Sequence, residues 1–208
     1  MSNFDIAFIV IVGLYLLWLF FQWNYLRKTN SEYEIFQKHQ PDRNTVLDIL
    51  THKSPAIITG EVEDWYIFDS QDQIDASKLT HPILQENTKK LCYLTPVVKK
   101  FNITNHKKGY QTNIILEKNT RKFLVLLEGE LSVGLLAPQQ KGSISKNSNI
   151  YLHQEDQDLK YMEIKLHSEQ ILHIPYQWHY CFQCLEDCKI LEVNSENMLT
   201  LPIKMISQ

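Results

Sequence analysis

Residues 6–26 contain no charged side chain, and Arg27-Lys28 follow at once. Coiled at about 1.5 Å per residue, such a run matches the roughly 30 Å hydrocarbon core of a bilayer. Trp23 and Tyr25 stand beside Gln22 and Asn24 at its end, where aromatic rings meet lipid headgroups. A cleaved signal peptide would need a basic leader, a shorter apolar core and a small-residue cleavage site, and the run has none of these. Residues 1–28 are therefore expected to anchor the chain in a membrane bilayer as a single-pass protein. Cations flank only the C-terminal side of the run, so the positive-inside bias places the C-terminal domain on the cytosolic side.

Beyond the anchor, about 180 residues are enough for one domain with a sizeable core. The net charge of −3 and the sequence pI near 6.2 supply no global field that would draw the chain to nucleic acid. The lysine pairs at 89–90, 99–100 and 107–108 read as solvated loop faces, or as contacts to anionic headgroups beside the anchor. Four cysteines, Cys92, Cys181, Cys184 and Cys188, are too few for a disulfide scaffold and should stay reduced on the cytosolic side.

Ser31-Glu32-Tyr33-Glu34 has capping-box spacing and predicts a short helix that Pro41 stops. Val46, Leu47, Ile49 and Leu50 recur at helical spacing after Asn44, predicting a second, so 29–53 reads as a helical linker. From Ser54 onward short apolar runs alternate with turn residues. Strands are expected at 56–59, 91–94, 112–116, 122–127, 131–136, 162–166, 171–174, 178–184 and 189–193, with a hairpin at Glu128-Gly129-Glu130. Many short strands after a helical preamble predict a mainly β sandwich or barrel over 54–208, with Trp65, Phe123, Val125, Leu135, Ile174 and Trp178 in one core.

The most informative local pattern is residues 166–180, where a tight turn feeds a strand, Pro175 ends it, and Trp178-His179-Tyr180 re-enter the sheet. This segment resembles the "hPGDhLFIPxGWWHxV" stretch of the cupin-like, JmjC-type β-barrel family that includes factor-inhibiting-HIF-like hydroxylases. Residues 54–60 with Trp65 resemble its "xPVVIxGxxxxW" strand, and Phe123 to Gly129, ending at Pro138, resembles "NLLVQLxGxKxWxLFPP". The resemblance implies a double-stranded β-helix, the cupin jelly roll, after a transmembrane helix and short helices. It is closest to membrane-anchored cupin-like proteins of large DNA viruses, whose "YQTPLHKELNYRNFLLV" stretch is matched by Tyr110-Gln111-Thr112 and by Arg121, Phe123 and Leu124. Pro175, Trp178, Tyr180 and Phe182 partly match their "LPAYWWYSIKF".

That family holds Fe(II) through a His-x-Asp/Glu pair and a distal histidine, which leave open positions on the metal for 2-oxoglutarate and oxygen. Carried over residue by residue, the pair falls on Ile115-x-Glu117, or on Leu116-x-Lys118 one residue later. The distal ligand falls on Tyr180, or on His179 after a one-residue deletion. Glu117, His179 and Tyr180 are thus the remaining metal candidates, and the expectation is a degenerate domain with no metal, no cofactor and no catalytic residues. It would act as a binding or structural module, with another protein as partner, in a virion or infected-cell membrane; the alternative is an Fe(II)/2-oxoglutarate hydroxylase. His153-Gln154-Glu155 has the His-x-Glu form in an acidic stretch that reads as a loop. His106, beside Lys107 and Lys108, reads as a solvated loop residue, and His167 and His173 read as structural. Cys181, Cys184 and Cys188 with His179 have the ligand types for zinc, but the odd offset between Cys181 and Cys184 on a strand points them to opposite faces.

The topology has a direct check. Protease added to sealed vesicles carrying the full-length chain should remove a C-terminal tag from the cytosolic face; a tag protected in the lumen contradicts the orientation.

Overall fold

A computed structural model describes residues 3–27, 30, 32–60, 62, 97–119, 121–139 and 160–197. Its elements run α1 (Asn3–Arg27), β1 (Phe36–His39), α2 (Arg43–His52), β2 (Ala56–Thr59), β3 (Val97–His106), β4 (Ile115–Leu116), β5 (Arg121–Glu128), β6 (Glu130–Leu136), β7 (Met162–His167), β8 (Gln170–Pro175), β9 (His179–Cys184) and β10 (Cys188–Asn197). One six-stranded sheet has the order β1-β2-β8-β5-β10-β3, and a four-stranded sheet the order β4-β9-β6-β7. Counted from β3, the strands interleave first-eighth-third-sixth and second-seventh-fourth-fifth. Successive strands thus alternate between the sheets except β6 and β7, which pair within the smaller one, and this is the jelly-roll winding of a cupin-like domain.

Alternation along each strand divides the apolar side chains into two layers. Leu124, Leu126, Leu172, Ile174 and Ile190 of the larger sheet meet Leu131, Val133, Leu135, Leu166, Tyr180 and Phe182 of the smaller, with Trp178 among them. Phe123, Val125, Ile171, Leu191 and Val193 point the other way, onto Val46 and Leu50 of α2 and onto Val62. The single core expected from the sequence is thus two cores separated by a sheet: Leu135, Ile174 and Trp178 lie in one, Phe123 and Val125 in the other. All five are fully buried. Trp65 lies outside the described residues, as do the expected strand at 91–94, Cys92, His153 and Glu155.

Several local expectations are corrected. The stretch after Ser31 is extended rather than helical, and Phe36–His39 pairs in parallel with Ala56–Thr59. Tyr33 and Ile35 then pack against the inter-sheet core, a burial that capping-box propensity cannot match. The supposed linker at 29–53 therefore contributes a strand to the larger sheet. The second helix forms, but its cap is Asp42, whose carboxylate accepts from the Thr45 N–H at 3.0 Å, and not Asn44. The reading of Lys99-Lys100 as a loop also falls: both lie on β3, paired along its length with β10.

The expected hairpin at Glu128-Gly129-Glu130 does not form: β5 and β6 belong to different sheets, and the tight turn between them carries the chain from one sheet to the other, where its glycine is required. Gly129 has φ +93, and a Cβ there would stand 2.3 Å from the Asp187 carbonyl oxygen. Among the described residues no helix is long and apolar enough to cross a membrane. The backbone of α1 runs 25 residues, with side chains described at 5–21 and 24, and most of its large apolar residues from Ile6 to Phe21, such as Phe8, Ile11 and Phe21, are exposed.

Phe123, at 0% exposure, reports on the second core. Phe123→Ala should cost about 3–5 kcal/mol in chemical denaturation of the full-length chain in detergent, and a loss under about 1 kcal/mol would contradict this packing.

Candidate functional site

The segment after β8 sets the geometry of the barrel mouth. Pro175 ends the strand, and Gln177 turns the chain with φ +68, at the position where the resembling family has glycine. Trp178 N–H donates to the Pro175 carbonyl at 3.3 Å, while Gln177 N–H donates to the Glu117 carbonyl at 2.9 Å and Glu117 N–H to that of Trp178 at 2.8 Å. These bonds extend the β4–β9 ladder, in which Ile115 pairs with Tyr180 and Leu116 with His179.

Directly paired residues share a face, and neighbours along a strand do not. Tyr180 belongs to the inter-sheet core, so Ile115 and, two residues on, Glu117 lie on the inward face with it. Of the two registers left open by the sequence, the structure adopts Ile115-x-Glu117 with Tyr180. His179 shares the other face with Cys181 and Leu136, the latter its partner on β6. Glu117, His179 and Tyr180 are consequently not brought together as a ligand set.

A cation already stands at this place. Lys122, 5% exposed, sits at the start of β5 on the same face as Leu124 and Leu126. Its Nζ donates to Glu192 Oε2 at 3.0 Å and lies 3.9 Å from Glu117 Oε2, and it stands 5.0 Å from the Tyr180 ring centroid. Glu117 is 2% exposed, and its Oε1 accepts from the Asn119 N–H at 2.6 Å. Asn119 Nδ2 in turn donates to Asn194 Oδ1 at 3.2 Å. Burial, and then the charges of Glu117 and Glu192, hold the Tyr180 phenol far above its ordinary range, so it remains a neutral hydroxyl. The three inward positions thus offer Ile, Glu and a neutral Tyr beside an ammonium, a set that does not fit Fe(II). Sequence reasoning missed Lys122 and Glu192. Their parity was the available signal: Lys122 is in phase with Leu124 and Leu126, and Glu192 with Ile190.

The cysteines divide as their spacing predicts. Cys184 and Cys188 are in the inter-sheet core, whereas Cys181 lies on the outer face. Burial, followed by the neighbouring Cys188, pushes the Cys184 thiol up to about 12. Cys188 Sγ–H donates to the Glu130 carbonyl at 3.1 Å. Among the described residues no group of three or more His, Cys, Asp or Glu converges to hold a metal ion.

The other histidines have structural surroundings. His106 closes β3 and stacks on Tyr110 at 4.1 Å, and His167 is an exposed residue at the end of β7. His173 is 2% exposed on β8, beside Phe123 with ring centroids 5.3 Å apart. Its Nδ1 has no hydrogen-bond partner among the described residues.

No protein-family model matches the sequence, and no curated protein matches it. Solved structures do. A cupin superfamily protein from Desulfitobacterium hafniense aligns at 13% identity over 48% of this chain and 77% of that one, with a TM-score of 0.32. The Streptomyces albus enzyme HEPD, with 2-hydroxyethylphosphonate and Fe(II) bound, aligns at 7% identity over 52% of this chain and 20% of that one, TM-score 0.37. The Drosophila melanogaster CENP-C cupin domain aligns at 15% identity over 47% and 59%, TM-score 0.32. The chain thus spans about a fifth of the Streptomyces protein. At these scores the likenesses carry no functional argument, and the fold rests on the strand order itself.

His173 generates a pH prediction. Burial, then the charge of Arg121, lowers its pKa from 6.5 to about 3, so the unfolded chain binds a proton that the folded one refuses. Its contribution to stability is complete above about pH 6.5 and is lost progressively as pH falls toward 3. Between pH 7 and 5 the loss should be about 2 kcal/mol. Denaturant melts of the native chain and of His173→Leu at both pH values check this: the variant should lack that part of the slope, and equal slopes would contradict it.

Proposed function

We propose that the chain is a single-pass membrane protein whose cytosol-facing, cupin-like domain is a non-catalytic binding module for a partner protein. The supporting observation is the content of the inward face of the barrel mouth. Ile115 stands where an imidazole would be needed, Tyr180 pairs with it, and the Lys122 ammonium lies 3.9 Å from the one remaining carboxylate, Glu117. His179, on the opposite face of β9, cannot complete the set without reversing the alternation of the strand.

Anchoring is proposed from the sequence, from the uncharged run at 6–26 with Arg27-Lys28 directly after it; α1 covers that run. Its whole span of 25 residues corresponds to about 37 Å at 1.5 Å per residue, and most of its described apolar side chains are exposed, with Trp18 and Leu19 half-buried. Such a surface is stable in lipid and costly in water. A virion or infected-cell membrane is the location in keeping with the resemblance to viral membrane proteins.

The test is an anaerobic titration of Fe(II) into the full-length chain in detergent with 2-oxoglutarate present, read by the charge-transfer absorption of the chelate. No stoichiometric band is expected. Stoichiometric binding that Glu117→Ala or His179→Ala abolishes would overturn the reading in favour of a hydroxylase.

A further inference from the structure

We infer that Lys122 is a built-in cation: its ammonium occupies a cation site made by Glu117, Glu192 and Tyr180, and by doing so excludes divalent ions that the same oxygens would otherwise hold. This deepens the non-catalytic reading by naming what fills the barrel mouth.

Three observations combine. The site is enclosed, with Lys122 at 5% and Glu117 at 2% exposure. Its acceptors converge on one point, since Glu192 Oε2 is 3.0 Å and Glu117 Oε2 3.9 Å from the same Nζ, and the Tyr180 ring lies 5.0 Å away. Finally, the carboxylates outnumber the ammonium, so the three charged groups sum to −1. A charge as buried as that of Glu117, with a second carboxylate near it, is costly in the low-dielectric interior without a counter-charge. Lys122 supplies that charge from within the chain.

Deleting the ammonium would leave the buried carboxylate of Glu117 and the partly buried carboxylate of Glu192 around a vacated space beside the Tyr180 ring. Oxygen donors of this kind suit hard divalent cations such as Mn²⁺, which need ligand oxygens within about 2.0–2.6 Å. The carboxylates would have to close in on the space that Nζ leaves. The Asn119 N–H on Glu117 Oε1 keeps one side of that carboxylate occupied and leaves Oε2 directed at the site.

The experiment is Mn²⁺ binding by the full-length chain in detergent, followed by calorimetric titration and by melting temperature. The native chain and Lys122→Arg should show no Mn²⁺-dependent shift. Lys122→Ala and the bulkier Lys122→Gln should bind Mn²⁺ at least about tenfold more tightly than the native chain and melt higher as Mn²⁺ is added. Adding Glu117→Gln to either variant should abolish both effects. A variant that folds only with Mn²⁺ supports the inference equally. Equal, weak binding by native chain and folded variants overturns it, as does failure of both variants to fold with or without Mn²⁺, because the ion should restore the missing charge. Neither failure touches the Fe(II) result on the native chain, so the non-catalytic reading stands or falls separately.

Discussion

Side-chain alternation along β9, fixed by its pairing with β4 and β6, is the constraint on which the rest of this domain depends. Two adjacent polar residues, His179 and Tyr180, cannot both face the barrel interior. The ladder Ile115–Tyr180 and Leu116–His179 selects the phenol. The same parity sends Cys184 inward and Cys181 outward, which separates the cysteines that a zinc site would need together. A slip of one residue would exchange both pairs, but it would also expose Phe182 and Cys184 and bury Gln183, so the apolar pattern holds the register.

Once Tyr180 and Glu117 face inward, the barrel must neutralise a buried carboxylate. Lys122 does this from the facing sheet, where its ammonium also pairs with Glu192 on the neighbouring strand β10, next to β5 through the pair Glu192–Leu124. A buried ion pair is a weak source of net stability, since desolvation offsets much of its attraction. Its consequence is specificity: the ammonium sits where an external cation would otherwise be drawn. The second core, between the larger sheet and α2, carries none of this chemistry. A buried polar group there is His173, held neutral by burial and by the charge of Arg121.

Much of the fold was legible because jelly-roll strands carry their signal locally. The runs at 56–59, 122–127, 131–136, 162–166 and 171–174 lie within observed strands or match them, since each combines β-branched or apolar residues with a turn such as Gly129 or Ser168-Glu169. Two kinds of element escaped. β1 is short, and its neighbourhood looks helical; pairing with β2, a tertiary effect, decides its state. β3 alternates lysines and asparagines with apolar residues at an exposed sheet edge, and so resembles a charged loop. At the mouth, Glu117 and Tyr180 were visible from the resemblance, but whether they share a face with His179 depends on cross-strand register. Lys122 and Glu192 come together from residues 70 apart, which no local pattern records.

The occupancy of the barrel mouth is tested most directly by a crystal structure of the full-length chain grown with Mn²⁺, examined for anomalous scattering between Glu117 and Glu192. The expected result is Lys122 Nζ density bridging the two carboxylates with no manganese peak beside it. A manganese peak coordinated by Glu117, with the Lys122 side chain displaced toward solvent, would contradict the built-in cation.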